Sequence, residues 1–177
     1  MCVEIEAKLK VDSLADVDRK LKELGADFIA EQSQSDIQFD DVNSSLITSD
    51  RCLRLRCQSA GDNMKFFLTY KGAKEKSDFK QRQEIEIEIS SAELAEKLLQ
   101  ALGYQKVLVV EKKRRLWRLD RCDVALDQLP QLGSFVEIEG PDSETIARVQ
   151  NRLGLAHVPS ITKSYPQMIQ EKSNRCK

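Results

Sequence analysis

Apolar and charged residues alternate with period two along most of this chain, and short helical stripes interrupt the alternation. Val3 to Val11 sets Val3, Ile5, Ala7, Leu9 and Val11 against Glu4, Glu6, Lys8 and Lys10, the pattern of a strand with one dry and one ionic face. Asp12 or Ser13 then caps a helix that ends at Gly25, with Leu14, Val17, Leu21 and Leu24 on one stripe. Gln34 to Asp40 reads as a strand and Asp41 to Asp50 as a polar loop with an Asn-Ser-Ser turn. Cys52 to Gln58 alternates Leu53, Leu55 and Cys57 with Arg54 and Arg56. Gly61-Asp62-Asn63 turns that strand into an antiparallel partner, Met64 to Lys71. A charged connection, Gly72 to Lys80, leads to the clearest strand, Gln81 to Ile89, where Arg82, Glu84, Glu86 and Glu88 oppose Ile85, Ile87 and Ile89. Ser90 or Ser91 caps a second helix carrying Leu94, Leu98, Leu99 and Leu102. Strands at Val107–Leu119, Asp123–Leu129 and Ser134–Glu139 follow, then a third helix from Ser143 to Leu153 and a tail expected to fray from Lys172. Glu-Ile-Glu recurs at Glu4–Glu6, Glu84–Glu86 and Glu137–Glu139, each time ahead of a helix that closes on Leu-Gly.

Eight strands linked mostly by hairpins, with three helices, predict an α+β fold with a largely antiparallel sheet. The three helix stripes need an apolar sheet face to cover. If the sheet closes, the ionic faces point inward. The expected architecture is an eight-stranded antiparallel closed β-barrel, a tunnel with a charged lumen, covered outside by helices. The competing reading leaves the ionic faces in bulk water, with cross-strand pairs worth about 0–1 kcal/mol each. Acidic pairs on three strands, cationic pairs (Arg54/Arg56 and Lys112/Arg114) on two others, and helices that need cover all favour the inward reading.

The length of 177 residues suits one domain, taken as 1–171 with a tail at 172–177. A net charge of −1 argues against a nucleic-acid or membrane-surface role. Five cysteines without a C-x-x-C pair and a single His exclude the usual zinc spacings. Neither a signal peptide nor an apolar run of transmembrane length is present, so a cytoplasmic setting is expected.

The candidate lumen residues are Glu4, Glu6, Lys8, Arg54, Arg56, Lys71, Arg82, Glu84, Glu86, Lys112, Arg114, Asp127, Glu137 and Glu139. Charges survive burial only when paired, metal-bound or wet. Converging Arg and Lys suit a polyanion such as a triphosphate. Carboxylates in the same place repel that anion unless a hard divalent cation intervenes, and oxygen-only ligands favour Mg²⁺ or Mn²⁺. These are the ingredients of phosphoryl-transfer chemistry. A sensor that binds polyphosphate or nucleotide without turnover stays open, although a pure anion binder gains nothing from carboxylates. His157 lies beyond the third helix and away from every charged strand, which speaks against catalysis. Trp117 and Phe39 are expected in the core rather than against a base, and Tyr165 at a tunnel mouth. Lys74-Glu75-Lys76 reads as a solvated loop, with closure over a substrate as the other reading.

The ordered series Glu4-x-Glu6-x-Lys8, Gln34-x-Asp36-x-x-Phe39-Asp40, Leu53-Arg54-Leu55-Arg56, Leu68-Thr69-Tyr70-Lys71-Gly72 and Arg82-Gln83-Glu84-Ile85-Glu86 resembles the CYTH superfamily, the triphosphate-tunnel metalloenzymes. The likeness continues through Lys112-x-Arg114-x-x-Trp117, Leu126-Asp127, Leu132-Gly133-x-Phe135-Val136-Glu137-Ile138-Glu139 and Ser164-Tyr165. It implies a tunnel that binds the triphosphate of ATP or an inorganic or organic relative, with Mg²⁺ or Mn²⁺. It implies Glu6 and Glu139 as metal ligands, supported by Glu4, Asp127 and Glu137. Lys8, Arg54, Arg56, Lys71, Arg82, Lys112 and Arg114 form the implied phosphate-binding set, and catalysis is expected to rest on Glu6, Arg56, Lys71 and Glu139. The segment at Gln34–Asp40 is most similar to the class IV adenylyl cyclase group, although Gln38 stands where that group usually has an aromatic residue. The implied reaction is ATP to cyclic AMP and pyrophosphate. Related members hydrolyse inorganic or thiamine triphosphate instead. Members of this kind are often homodimers.

Overall fold

The computed structural model describes residues 2–73 and 80–175, with side chains placed for 5–73 and 82–174. The chain is α+β, with eight strands and five helices among those residues. All the strand pairs given below are antiparallel, as the hairpin reading predicts. The chain clusters into two compact units, each assembled from discontinuous segments.

The first unit contains residues 32–40 of β2 (Asp27–Asp40), β3 (Cys52–Ala60), β4 (Asn63–Lys71), residues 81–89 of β5 (Lys80–Ile89), and residues 105–111 of β6 (Gln105–Leu119). Gly61, at φ +58°, makes the tight turn between β3 and β4, and Arg54 faces Thr69 and Cys52 faces Lys71 across the ladder. β2 begins at Asp27, well before the Gln34 that alternation picks out, because residues 27–30 break the period-two pattern. Asp41–Asp50, expected as a loop, contains one short helix, α2 (Ser45–Thr48). Asp40, wholly buried, accepts from the backbone N–H groups of Leu46 and Ile47 at 2.9 Å each and so supplies the cap that local propensity alone does not reveal.

Helix α3 (Ala92–Ala101) starts at Ser91, whose side chain accepts from the Leu94 N–H. It lies on β3 and β4 and shares a core with Phe39 and Leu55. The face it buries meets the predicted stripe at Leu99 alone. Leu99 is inside, with Ala92 and Ala95 packed beside it, whereas Leu94, Leu98 and Leu102 are each about 60% exposed. Small alanines let the helix sit close to the sheet, which rotates the longer stripe outward.

The second unit contains β1 (Cys2–Lys10) from Glu4 onward, α1 (Leu14–Glu23), residues 112–119 of β6, β7 (Cys122–Leu129), β8 (Gly133–Glu139), α4 (Ser143–Arg152) and α5 (Tyr165–Arg175). Its sheet order is β6-β7-β8-β1. The apolar alternates of β1, β7 and β8 (Ala7, Leu9, Val124, Leu126, Val136 and Ile138) join Val17 and Leu21 of α1 and Ile146 and Val149 of α4 in one core. Ser13 caps α1, and Leu24-Gly25 ends it with Gly25 at φ +71° and the Ala26 N–H bonded to the Leu21 carbonyl. Helix α5, which carries its strand-facing residues too sparsely to read as a stripe, spans Tyr165–Arg175 and so includes residues 172–175 of the expected frayed tail.

Gly140 follows β8 at a close approach. A Cβ there would stand 2.7 Å from Cys122 Sγ and 3.0 Å from Ile146 Cγ1, both fully buried. Gly140→Ala is therefore expected to cost about 1–3 kcal/mol by overpacking. Urea unfolding checks it, and Cys122→Ala in the same chain should recover part of the loss.

Most of Gly72–Lys80, including Lys74-Glu75-Lys76, falls on residues outside the described set. Among the described residues, no helix is long and apolar enough to cross a membrane.

Candidate functional site

Each unit carries an ionic cluster on one strand face. In the first unit, register puts Asp36 opposite Arg56, Gln38 opposite Arg54, and Lys71 opposite Glu84. Arg56 donates to both oxygens of Asp36, from Nε at 2.7 Å and from Nη2 at 2.8 Å, the fork-to-fork geometry that fixes a guanidinium plane. Arg54 lies 3.6 Å from Asp36, 3.8 Å from Glu84 and 3.3 Å from Glu86, and its Nη2 also donates to the Thr69 hydroxyl. Thr69 in turn donates to Glu86. Burial disfavours the Arg54 charge, but Asp36 and its neighbours outweigh that and raise its pKa. Arg54 Nε is buried with no hydrogen-bond partner. Lys71 Nζ sits 2.7 Å from Glu84. Arg82 is buried on the same face of β5 as Glu84. Cys52, also on this face, has its thiol pKa pushed up by burial despite the cations near it, so it is held as a neutral S–H and donates to Gln38 Oε1.

In the second unit, Glu6 stands opposite Glu139 and Lys8 opposite Glu137, while Arg114 faces Asp127. Arg114 donates to both oxygens of Asp127, at 2.7 and 2.6 Å, and also to Glu137. Burial opposes its charge, yet Asp127 and Glu137 prevail and lift its pKa well above the ordinary value. Lys8, only 2% exposed, has Glu137 at 3.2 Å and Glu6 at 3.7 Å and donates to the Lys163 carbonyl. Lys112 is 3.4 Å from Asp127.

Tyr165 ties the second cluster together. Its ring lies 4.3 Å from Lys8 Nζ and 5.1 Å from Lys112 Nζ, with Phe135 edge-on at 5.2 Å. Its hydroxyl donates to Asp127 at 2.9 Å. Burial first, then the charges of Glu137 and Asp127, pushes the phenol far above its usual pKa, so it remains a donor. The segment before it is pinned to β1 by a bridge between Leu9 and Ser160 and by the Ile161 N–H donating to the Lys8 carbonyl.

A family model, the CYTH domain, matches residues 3–165. The chain belongs to the CYTH family. "Putative adenylate cyclase MJ0240" of Methanocaldococcus jannaschii is 33% identical over 137 residues, 77% of this chain and 76% of that protein. Among solved structures, PH1819 of Pyrococcus horikoshii OT3 superposes with a TM-score of 0.85 at 28% identity, covering 96% of this chain and 99% of that one. "Putative adenylyl cyclase HpAC1" from Hippeastrum, a protein described as having a dominant triphosphatase activity, shares the fold at a TM-score of 0.74 and 17% identity, over 96% of each chain.

Within this CYTH chain, the sequence-predicted residues fall into two groups. Arg54, Arg56, Lys71, Arg82, Glu84 and Glu86 come together in the first unit, and Glu6, Lys8, Lys112, Arg114, Asp127, Glu137 and Glu139 in the second. Glu4 lies on β1, its side chain outside the described set. Glu6 and Lys8 are buried while Glu139 is exposed. Asp127, wholly buried, is engaged by Arg114, Lys112 and Tyr165. Trp117 packs in the core against Phe28, Phe39 lies in the core with Leu55, and His157 is exposed. Two participants escaped the alternation. Thr69 is uncharged, and Asp36 sits among glutamines, so its place opposite Arg56 came only with the register.

Proposed function

We propose that this chain is a divalent-metal-dependent enzyme that grips a triphosphate and breaks a bond of its phosphate chain. The observation that carries the reading is the interleaving, in a CYTH chain, of cations and carboxylates on buried strand faces. A face built only to hold an anion gains nothing from Glu6 and Glu139, two carboxylates that stand opposite each other. Lys8, Arg54, Arg56, Lys71, Arg82, Lys112 and Arg114 bind phosphate oxygens. Asp36 and Asp127 hold the planes of Arg56 and Arg114 in advance, so little order is lost on binding.

The donor chemistry fits Mg²⁺ or Mn²⁺. Among the described residues no three His, Cys, Asp or Glu side chains gather into a metal cage. Mg²⁺ does not need one, because it keeps several waters and takes one or two carboxylates plus substrate phosphates. Glu6 and Glu139, opposite each other in register, are that pair, with Glu4 and Glu137 in support, while Asp127 is taken up by Arg114. Bound there, the metal would neutralise charge on the transferring phosphoryl group and polarise its oxygens.

The first reading of the reaction is class IV adenylyl cyclase chemistry. The ribose 3′-hydroxyl attacks the α-phosphorus of ATP, and the Arg/Lys set neutralises the departing pyrophosphate. The naming of MJ0240 supports it. The second reading is hydrolysis of an inorganic or thiamine triphosphate, with water attacking the terminal phosphorus, and the activity described for HpAC1 supports that one. Incubation with Mg²⁺ or Mn²⁺ and either ATP or tripolyphosphate, following cyclic AMP and orthophosphate, separates them. Cyclic AMP from ATP is the expected result. Orthophosphate from tripolyphosphate alone assigns the hydrolase. Tight binding without product assigns a sensor, and absence of both binding and product sinks the proposal.

A further inference from the structure

The neutral rung beside the ionic cluster of the first unit has work of its own. β2 carries Gln32, Gln34, Asp36 and Gln38 on one face, and register sets Gln34 directly opposite Gln58, one rung from the Asp36–Arg56 pair. That rung-to-rung step is about 7 Å. Gln34 is only 4% exposed. Its Nε2 spends both hydrogens, one on Gln32 Oε1 at 2.9 Å and one on Gln58 Oε1 at 2.8 Å. The amide is thereby locked in one orientation. Its Oε1 is buried and has no hydrogen-bond partner.

A buried carbonyl oxygen without a donor is costly and rare, so a fixed one beside a phosphate-binding face calls for an explanation. Three glutamines also form a poor phosphate site, having no positive charge to offer. They suit the uncharged part of a phosphorylated molecule. We infer that Gln34, oriented by Gln32 and Gln58, reads a hydrogen-bond donor on the non-phosphate portion of the substrate, foremost the exocyclic amine of a nucleobase. Gln side chains recognise adenine in the same chemical way, the amide oxygen accepting from the amino group. The inference rests on the triphosphate reading of the neighbouring cations. It adds that the substrate has an organic part carrying an N–H or O–H donor, and that inorganic triphosphate leaves this rung unused.

The test is a set of dissociation constants in Mg²⁺ buffer for four ligands: ATP, inosine triphosphate (a carbonyl in place of the amine), 2′-deoxy-ATP, and tripolyphosphate. The wild-type protein is compared with Gln34→Met and Gln34→Glu, and thermal melts report the fold. Wild type is expected to prefer ATP over inosine triphosphate by about tenfold, the factor one hydrogen bond's net free energy gives. Gln34→Met should erase that preference while leaving tripolyphosphate binding within about twofold. Gln34→Glu, which keeps an acceptor oxygen, should retain part of it. If the lost preference is instead for ATP over its 2′-deoxy form, the donor is the ribose hydroxyl and the rung still reads the organic part. Equal wild-type affinity for all three nucleotides, or an equal fall for tripolyphosphate in Gln34→Met, overturns the inference while the triphosphate reading stands. Failure of wild type to bind any of the four overturns both.

Discussion

Glu6→Gln is expected to lower metal-dependent turnover by about 10²–10³-fold, the loss typical when one preorganised charge stabiliser is removed. The substitution keeps the shape of the side chain and takes away one negative oxygen. Glu6 is 4% exposed and faces Glu139 across the β1–β8 ladder, so the variant leaves a single carboxylate where two faced each other. Two carboxylates directly opposite repel one another unless a cation offsets them. Losing one should weaken the apparent affinity for Mg²⁺ or Mn²⁺ along with the rate. Stability should hardly change, because Lys8 keeps Glu137 at 3.2 Å as its nearer partner. The measurement is a metal titration of initial rate, with a thermal melt beside it. Unchanged activity with unchanged metal dependence removes Glu6 from the ligand set.

Much of this arrangement was legible in the sequence because period two is a direct record of which side of a strand is dry. Val3–Val11 and Cys52–Gln58 fixed which residues share a face, and local chemistry placed the helix caps to within one residue, at Asp12 or Ser13 and at Ser90 or Ser91, of which Ser13 and Ser91 are the caps. Alternation does not encode register, and register is what turned a set of charges into pairs. Asp36 meeting Arg56, or Glu6 meeting Glu139, depends on how neighbouring strands slide relative to each other. Helix rotation was invisible for a related reason. Leu94, Leu98 and Leu102 make the stronger apolar stripe of α3, but close approach to β3 favoured the smaller Ala92 and Ala95. α2 was missed because its N–H groups are capped by Asp40, a residue that alternation assigns to the strand before it.

The pairing also changes what the carboxylates mean. In the sequence, Asp127 stands with Glu4 and Glu137 among the carboxylates supporting a metal, and Asp36 has no role. In the structure, Asp36 and Asp127 each take an arginine through two parallel hydrogen bonds. Such carboxylates set the direction of the guanidinium and keep it charged despite burial. They are ill placed to give that up for a metal ion, because a buried arginine would then lose its counterion. Glu6 and Glu139 instead face each other across the β1–β8 ladder.

Asp127→Asn should therefore act on the fold more than on the metal. Asp127 is fully buried and accepts two hydrogen bonds from Arg114 and one from Tyr165, with Lys112 at 3.4 Å. Removing its charge takes a buried counterion from both Arg114 and Lys112, although Arg114 keeps Glu137, and losing one partner of a buried pair costs about 3–5 kcal/mol. In a chain of this length each kcal/mol moves the melting temperature by about 2–4 °C, giving an expected drop of roughly 6–20 °C. Tyr165→Phe is the control. It deletes only the hydroxyl and leaves the Arg114–Asp127 pair, so about 1 kcal/mol is expected. A double change, Asp127→Leu with Arg114→Met, should recover the Arg114 share of the stability lost in Asp127→Asn, because an apolar pair of similar volume carries no desolvation cost, while Lys112 still loses Asp127. It should not recover turnover, since Arg114 belongs to the phosphate-binding set. If Asp127→Asn instead melts like wild type and loses only its metal dependence, Asp127 is a ligand to the metal and the ion-pair account of the second unit is wrong.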